Sequence, residues 1–145
     1  MKFTTQIEIN KPIDKVVQLF DNPENLQKWM EGLIGFQQFF GVPGHPGAKS
    51  KLKFRMGSRE IEMIETITVR NLPHEFTGTY ETNGVFNTVS NRFEKISETS
   101  TRYLSESEFH FTGVMKVIAF LMPRTFKKQS MKHLQDFKKF VESQP

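Results

Sequence analysis

The sequence predicts an α+β fold: a curved antiparallel sheet of about seven strands wrapped around one long C-terminal helix. Three observations predict it. From Leu33 to Phe111 apolar and polar residues alternate in runs broken by turn residues, the two-residue period of strands with one buried face. From Gly113 to Val141 the period lengthens to three and four residues, as on an amphipathic helix. The only other helical pattern follows the first strand, so strands and helices do not alternate as the crossovers of a parallel sheet require. The order is strand, two short helices, six strands, long helix. At 145 residues the chain is read as one domain, 1–145, large enough to bury a core.

The elements follow in order. Phe3, Thr5, Ile7 and Ile9 alternate with Lys2, Thr4, Gln6 and Glu8 in the first strand. Pro12 suits the first turn of a helix, and Ile13, Val16, Val17 and Phe20 form its apolar stripe. Asn22-Pro23-Glu24 opens a second helix with a cap, a first-turn proline and a carboxylate near the positive end of the dipole. Leu26, Trp29 and Met30 give that helix its apolar face, and Gly32 ends it. In the strand Leu33 to Phe40 both faces carry apolar residues, so alternation does not choose the inward one. It stops at Gly41-Val42-Pro43-Gly44-His45-Pro46-Gly47, which neither helix nor central strand accommodates. Leu52, Phe54 and Met56 alternate with Lys51, Lys53 and Arg55 before the turn at Gly57-Ser58. Ile61 to Val69 follows, then Asn71-Leu72-Pro73, then a strand marked by Phe76, Gly78 and Tyr80. Asn83-Gly84 signals a tight hairpin, and Val85 to Ile96 and Arg102 to Phe111 complete the set around a polar turn at Ser97 to Ser100. After Pro123 the stripe Phe126, Ser130, Leu134, Phe137, Phe140 and Val141 is interleaved with lysines. Pro123 removes one helical hydrogen bond and should kink or break the helix. Val114 to Met122 is apolar nearly all round, which implies burial on several sides or a mobile lid.

Composition excludes several classes. With no cysteine there is no disulfide scaffold, thiolate metal site or cysteine nucleophile. The N-terminus enters strand pattern at once, and no apolar stretch approaches the ~20 residues needed to span a bilayer. A soluble cytoplasmic protein is expected. The net charge is +4, yet residues 113–145 carry seven lysines and arginines against Asp136 and Glu142. The remainder of the chain is therefore close to neutral, and the basic excess reads as a solvated helix face or a contact with an acidic partner or anionic membrane. No nucleic-acid motif appears. His45, His74, His110 and His133 share no ligand spacing, so neither metal nor cofactor is expected. Nucleophile elbow, phosphate loop and dinucleotide fingerprint are all missing.

This order of elements resembles the SRPBCC superfamily, the START, Bet v 1-like or helix-grip proteins, and within it the bacterial polyketide cyclase/dehydrase-like members. The likeness rests on Ile9-Asn10-Lys11-Pro12 before the first helix, Asn25 to Leu33 through Trp29, and Pro43 to Ala48. The terminal run from Phe120-Leu121-Met122-Pro123 to Phe140 adds to it. The resemblance covers nearly the whole chain and implies a mostly hydrophobic pocket between sheet and terminal helix. Members use such pockets for lipids, sterols or polyketides; a few are cyclases and others bind chaperones.

Given that arrangement, alternation places Leu52, Phe54, Met56, Met63, Glu65, Tyr80, Asn91, Phe93, Tyr103, Phe109 and Phe111 on the cavity side of the sheet. Met115, Ala119, Met122 and Phe126 are expected there from the helical segment. Ile67, Phe76, Asn87, Val89, Ser105 and Ser107 share the inward parity. Glu65, between Met63 and Ile67, is the one catalytic candidate: a buried carboxylate is costly when charged, so its pKa should rise. It serves as a ligand anchor or a general acid or base, or else as a structural hydrogen-bond partner of Tyr80, Asn87 or Asn91. His110 has outward parity, and His133 adjoins the inner stripe of the helix. The reading is a protein, monomer or homodimer, that binds an apolar or amphipathic small molecule without chemistry of its own. The rivals are a cyclase or dehydratase using Glu65 and an interaction module of the chaperone-activator kind.

Overall fold

In the computed structural model, which describes residues 1–145, seven strands form one antiparallel sheet. They are β1 (Lys2–Ile9), β2 (Leu33–Phe40), β3 (Lys49–Met56), β4 (Arg59–Asn71), β5 (Glu75–Thr82), β6 (Val85–Ser97) and β7 (Ser100–Phe111). Spatial order is β1-β7-β6-β5-β4-β3-β2. Each hairpin neighbour in sequence is a neighbour in space, and the first strand closes against the last. The tight links are chemical: Met56 pairs with Arg59 across Gly57-Ser58, and Thr82 with Val85 across Asn83-Gly84. Gly57 and Gly84 adopt φ of 64° and 76°, a region costly for residues with a Cβ.

Between the sheet edges run α1 (Ile13–Phe20), a 3₁₀ turn (Pro23–Asn25) and a single helical turn, α2 (Leu26–Trp29). The second expected helix is thus split. Asn22 still caps the turn, its side chain accepting from the Glu24 amide at 3.0 Å. Pro12 stands one place before α1, as its cap residue, instead of in the first turn.

The C-terminal segment is two helices: α3 (Val114–Leu121) and α4 (Pro123–Glu142). Met122 at the joint is non-helical, with φ −131° and ψ 57°. Pro123 is the cause: it lacks the N–H that would continue α3, and its fixed φ suits the first position of α4. Neither helix is long and apolar enough to cross a membrane.

α4 lies across the concave face, and its stripe supplies the main core. Leu134, Phe137 and Val141 are buried with Ile9, Val16, Phe93 and Tyr103. Phe20 is the hub: its ring centroid lies 5.0 Å from Phe93, 5.6 Å from Phe76 and 5.8 Å from Phe137. Trp29 closes on Phe137 at 5.1 Å. The end of α4 is tied down polarly, with Glu142 accepting from the Asn10 amide at 2.7 Å and from Lys138 at 2.9 Å. A second, smaller cluster joins Leu33, Leu52 and Phe54. Register shifts at Leu33/Gly35 and Gln38/Phe40 explain why β2 has no readable face: each shift reverses the parity.

Candidate functional site

Beyond the aromatic core a cavity of about 470 Å³ remains between the sheet and α4. α4 contributes Phe126, Gln129, Ser130, His133 and Leu134, the i, i+3, i+4, i+7, i+8 positions of one helix face. Leu26, Trp29, Met30 and Phe36 close the side next to α2 and β2. Leu52, Phe54, Met56, Met63, Ile67, Val89 and Phe109 make most of the sheet wall apolar.

Pairing register assembles a polar strip within that wall. Ser50 faces Glu65, Glu65 faces Tyr80, and Tyr80 faces Asn87, so one rung of the sheet carries four polar side chains in succession. All four line the cavity. The Tyr80 hydroxyl donates to Glu65 Oε2 at 2.8 Å. A second rung holds Asn91 opposite Ser105; the Tyr103 hydroxyl donates to Asn91 Oδ1 at 2.7 Å, and Asn91 Nδ2 donates to the Phe76 carbonyl at 3.3 Å. Asn87 Oδ1 is different: it is buried and has no hydrogen-bond partner.

Burial sets the protonation states. It pushes the Glu65 carboxyl above its ordinary range, and the Tyr80 hydrogen bond offsets only part of that. No cation pairs with it. Tyr80 is raised well above the usual phenol value, first by burial and then by the neighbouring Glu65; Tyr103 is raised by burial. His133, beside Gln129 at 3.2 Å, is pushed down by burial, which favours its neutral ring. Glu65, Tyr80 and His133 are half-buried and all three line the cavity. At the far end Arg70 lines the wall already engaged, donating twice to Asp21 at 2.7 Å. Nowhere do three histidine or carboxylate side chains converge as metal ligands. Chemically, the arrangement can hold an apolar body, orient a polar group against one strip of the sheet, and present a carboxyl whose pKa burial raises.

Ten of the fifteen residues expected at the cavity are in its wall: Leu52, Phe54, Met56, Met63, Glu65, Tyr80, Asn91, Tyr103, Phe109 and Phe126. Five are elsewhere. Phe93 is sealed in the core, stacked on Tyr103 at 4.6 Å and covered by Phe20. Phe111 packs behind the wall, 5.6 Å from Phe109 and 4.9 Å from Phe126. Met115 lies against Gly84, so close that a Cβ there would stand 3.0 Å from its Cγ. Ala119 is the buried residue of α3 but is outside the cavity wall, and Met122 is half exposed at the joint. The last three share a cause: they precede the break at Pro123, so α3 does not continue the inward face of α4. His133, which adjoins the inner stripe, is in the wall. Missed in turn were Gln129 on α4 and the α2 and β2 residues. The spacing from Phe126 signals Gln129; nothing in the sequence signals that α2 lies over the cavity.

A family model described as "Polyketide cyclase / dehydrase and lipid transport" matches residues 1–142. No curated protein matches the sequence. Among solved structures, the Zhui aromatase/cyclase of Streptomyces sp. R1128 superposes with a TM-score of 0.83 at 8% identity, over 98% of this chain and 93% of that one. A conserved protein of Geobacillus kaustophilus gives 0.78 at 14% identity, over 97% and 95% of the two chains. Norcoclaurine synthase of Thalictrum flavum, in complex with dopamine and hydroxybenzaldehyde, gives 0.75 at 15%, over 100% and 88%. At these identities the likeness is one of fold. The strand order, the gripped terminal helix and the match over nearly the whole length agree: the chain belongs to the polyketide cyclase/dehydrase and lipid transport family.

Proposed function

We propose that residues 1–145 work as one domain that binds a single amphipathic small molecule, lipid- or polyketide-like, and performs no chemistry on it. The size of the cavity supports this, since ligand pockets run from about 300 to 1,000 Å³. The observation that carries the reading is Asn87 Oδ1, a buried acceptor without a partner beside the hydrogen-bonded Glu65–Tyr80 pair. A buried acceptor left unpaired costs about 1–3 kcal/mol, and a ligand hydroxyl or amide N–H set against it recovers that cost. The ligand accordingly combines an apolar body, against Leu52, Phe54, Met63 and Phe109, with a hydrogen-bond donor at Asn87.

Native mass spectrometry of freshly purified protein, followed by solvent extraction, tests the proposal. A bound species of one-to-one stoichiometry carrying a hydroxyl or N–H is expected, and Asn87→Leu should weaken its rebinding. A purely hydrocarbon species bound equally well by Asn87→Leu would overturn the reading.

One observation favours a second reading, a cyclase- or dehydratase-type enzyme. Glu65 lines the cavity, hydrogen-bonded to Tyr80, and burial moves its pKa upward, the direction that suits a general acid. The two readings part at Glu65→Gln: an enzyme loses turnover of the extracted compound and keeps affinity for it, whereas a binder has no turnover to lose.

A further inference from the structure

The apolar surface of this molecule is concentrated where a packed protein should have least of it. α3 exposes Phe120 at 83%, Val114 at 73%, Leu121 at 69% and Val117 at 58% of their possible surface. Ile118 and Met122 are also exposed, and Ala119 alone is buried. Apart from Lys116 the helix has no polar side chain. A contiguous apolar surface of this kind on a folded protein marks a contact site.

Charge identifies what it contacts. Between Phe109 and Gln135 there is no aspartate or glutamate, while Lys116, Arg124, Lys127 and Lys128 are exposed. None of these four makes an ion pair; the next lysine, Lys132, is held by Glu31 and Asp136. A second copy docking about a two-fold axis would set this patch against itself and leave those cations facing one another with no counter-charge. An anionic bilayer supplies both halves of the complement: acyl chains for the apolar residues and phosphates for the cations.

Position relates the patch to the cavity. At its start α3 lies on the β5–β6 hairpin through Met115 and Gly84, and the flanking hairpin residues Thr82 and Val85 line the cavity. At its end it leads through Met122 into α4, whose Phe126 lines the cavity too. The helix is thus bracketed by wall residues on both sides.

We propose that α3, with Lys116, Arg124, Lys127 and Lys128, docks the protein onto the surface of an anionic lipid bilayer at the end of the molecule where the cavity meets the β5–β6 hairpin. Docking does not depend on which ligand the cavity takes, so failure of the binding proposal leaves this one standing.

Flotation of the full chain with phosphatidylcholine vesicles, with and without phosphatidylglycerol, is the test. Binding is expected only when phosphatidylglycerol is present, and should weaken as salt is raised. Each lysine reversed in Lys127→Glu and Lys128→Glu should weaken it roughly fivefold or more. Phe120→Glu and Leu121→Ser should each weaken it roughly tenfold or more. At such exposed positions the thermal transition should not move, which separates docking from folding. Three results would overturn the proposal: no binding to anionic vesicles, binding indifferent to Phe120→Glu and Leu121→Ser, or a concentration-dependent dimer in sedimentation equilibrium that Phe120→Glu dissolves. The last would make the patch an interface between copies.

Discussion

The two ends of α4 bury aromatic residues in opposite ways. Around Phe137 every ring has a ring against it, from Phe20, Trp29 and Tyr103, and Phe137 itself is fully buried. At the other end Phe126 touches Phe109 and Phe111 at 5.1 and 4.9 Å on one side and borders the cavity on another. Beyond it Phe120 touches little but solvent. The same residue type therefore fills the core at one end, and at the other lines a cavity or lies bare on the surface. Packing density, not composition, separates the closed core from the open cavity and the bare helix.

The sharpest way to break this comparison is truncation of Phe137. Phe137→Ala should cost about 3–5 kcal/mol in denaturant unfolding, from lost transfer energy and the hole left behind. Against a whole stability of about 5–15 kcal/mol, that is a large fraction. Filling the cavity comes next. Val89→Phe projects a ring into the space beside the polar strip; it should abolish one-to-one binding of an environment-sensitive apolar dye and cost about 1–3 kcal/mol. Dye binding that survives in the folded variant would place the binding surface outside the cavity.

Smaller effects follow from protonation. Because burial raises the Glu65 pKa, the folded chain holds that proton more tightly than the unfolded one. Its contribution is full below the ordinary value of 4.5 and is lost as pH rises through the folded value. Glu65→Gln should therefore be neutral or stabilising at neutral pH and should flatten the stability curve across that interval. His133 has the reverse sign. Its lowered pKa makes the unfolded chain the better proton acceptor, so stability falls as pH drops below 6.5 toward the folded value. His133→Gln should lessen that decline, measurable as the midpoint of thermal unfolding across the interval. Smallest of all is Phe120→Ala, expected within about 0.5 kcal/mol of the parent despite the size of the side chain removed. A cost near that of Phe137→Ala would erase the distinction between the two ends.

Local chemistry by itself determined much of this protein. Alternation in β3 put Leu52, Phe54 and Met63 of the neighbouring strand on one side, because a strand has only two faces and water selects between them. Asn22, Gly57, Gly84 and Pro123 fixed a cap, two hairpins and a helix start through steric and hydrogen-bonding limits that act within a few residues. The inward placement of Glu65 was legible for the same reason, whereas its partner among Tyr80, Asn87 and Asn91 was settled only by strand register. Tertiary structure alone decided the rest. Parity says that Phe93 and Phe109 both point inward, but only the arrival of Phe20 from α1 makes one of them core and leaves the other at a cavity wall. Bulges in β2 altered its faces without a sequence mark. The orphaned Asn87 acceptor and the exposure of α3 are likewise properties of what does or does not come to lie beside them. Cavities and bare surfaces are absences of contact between distant segments, and no local preference of the chain records where packing stops.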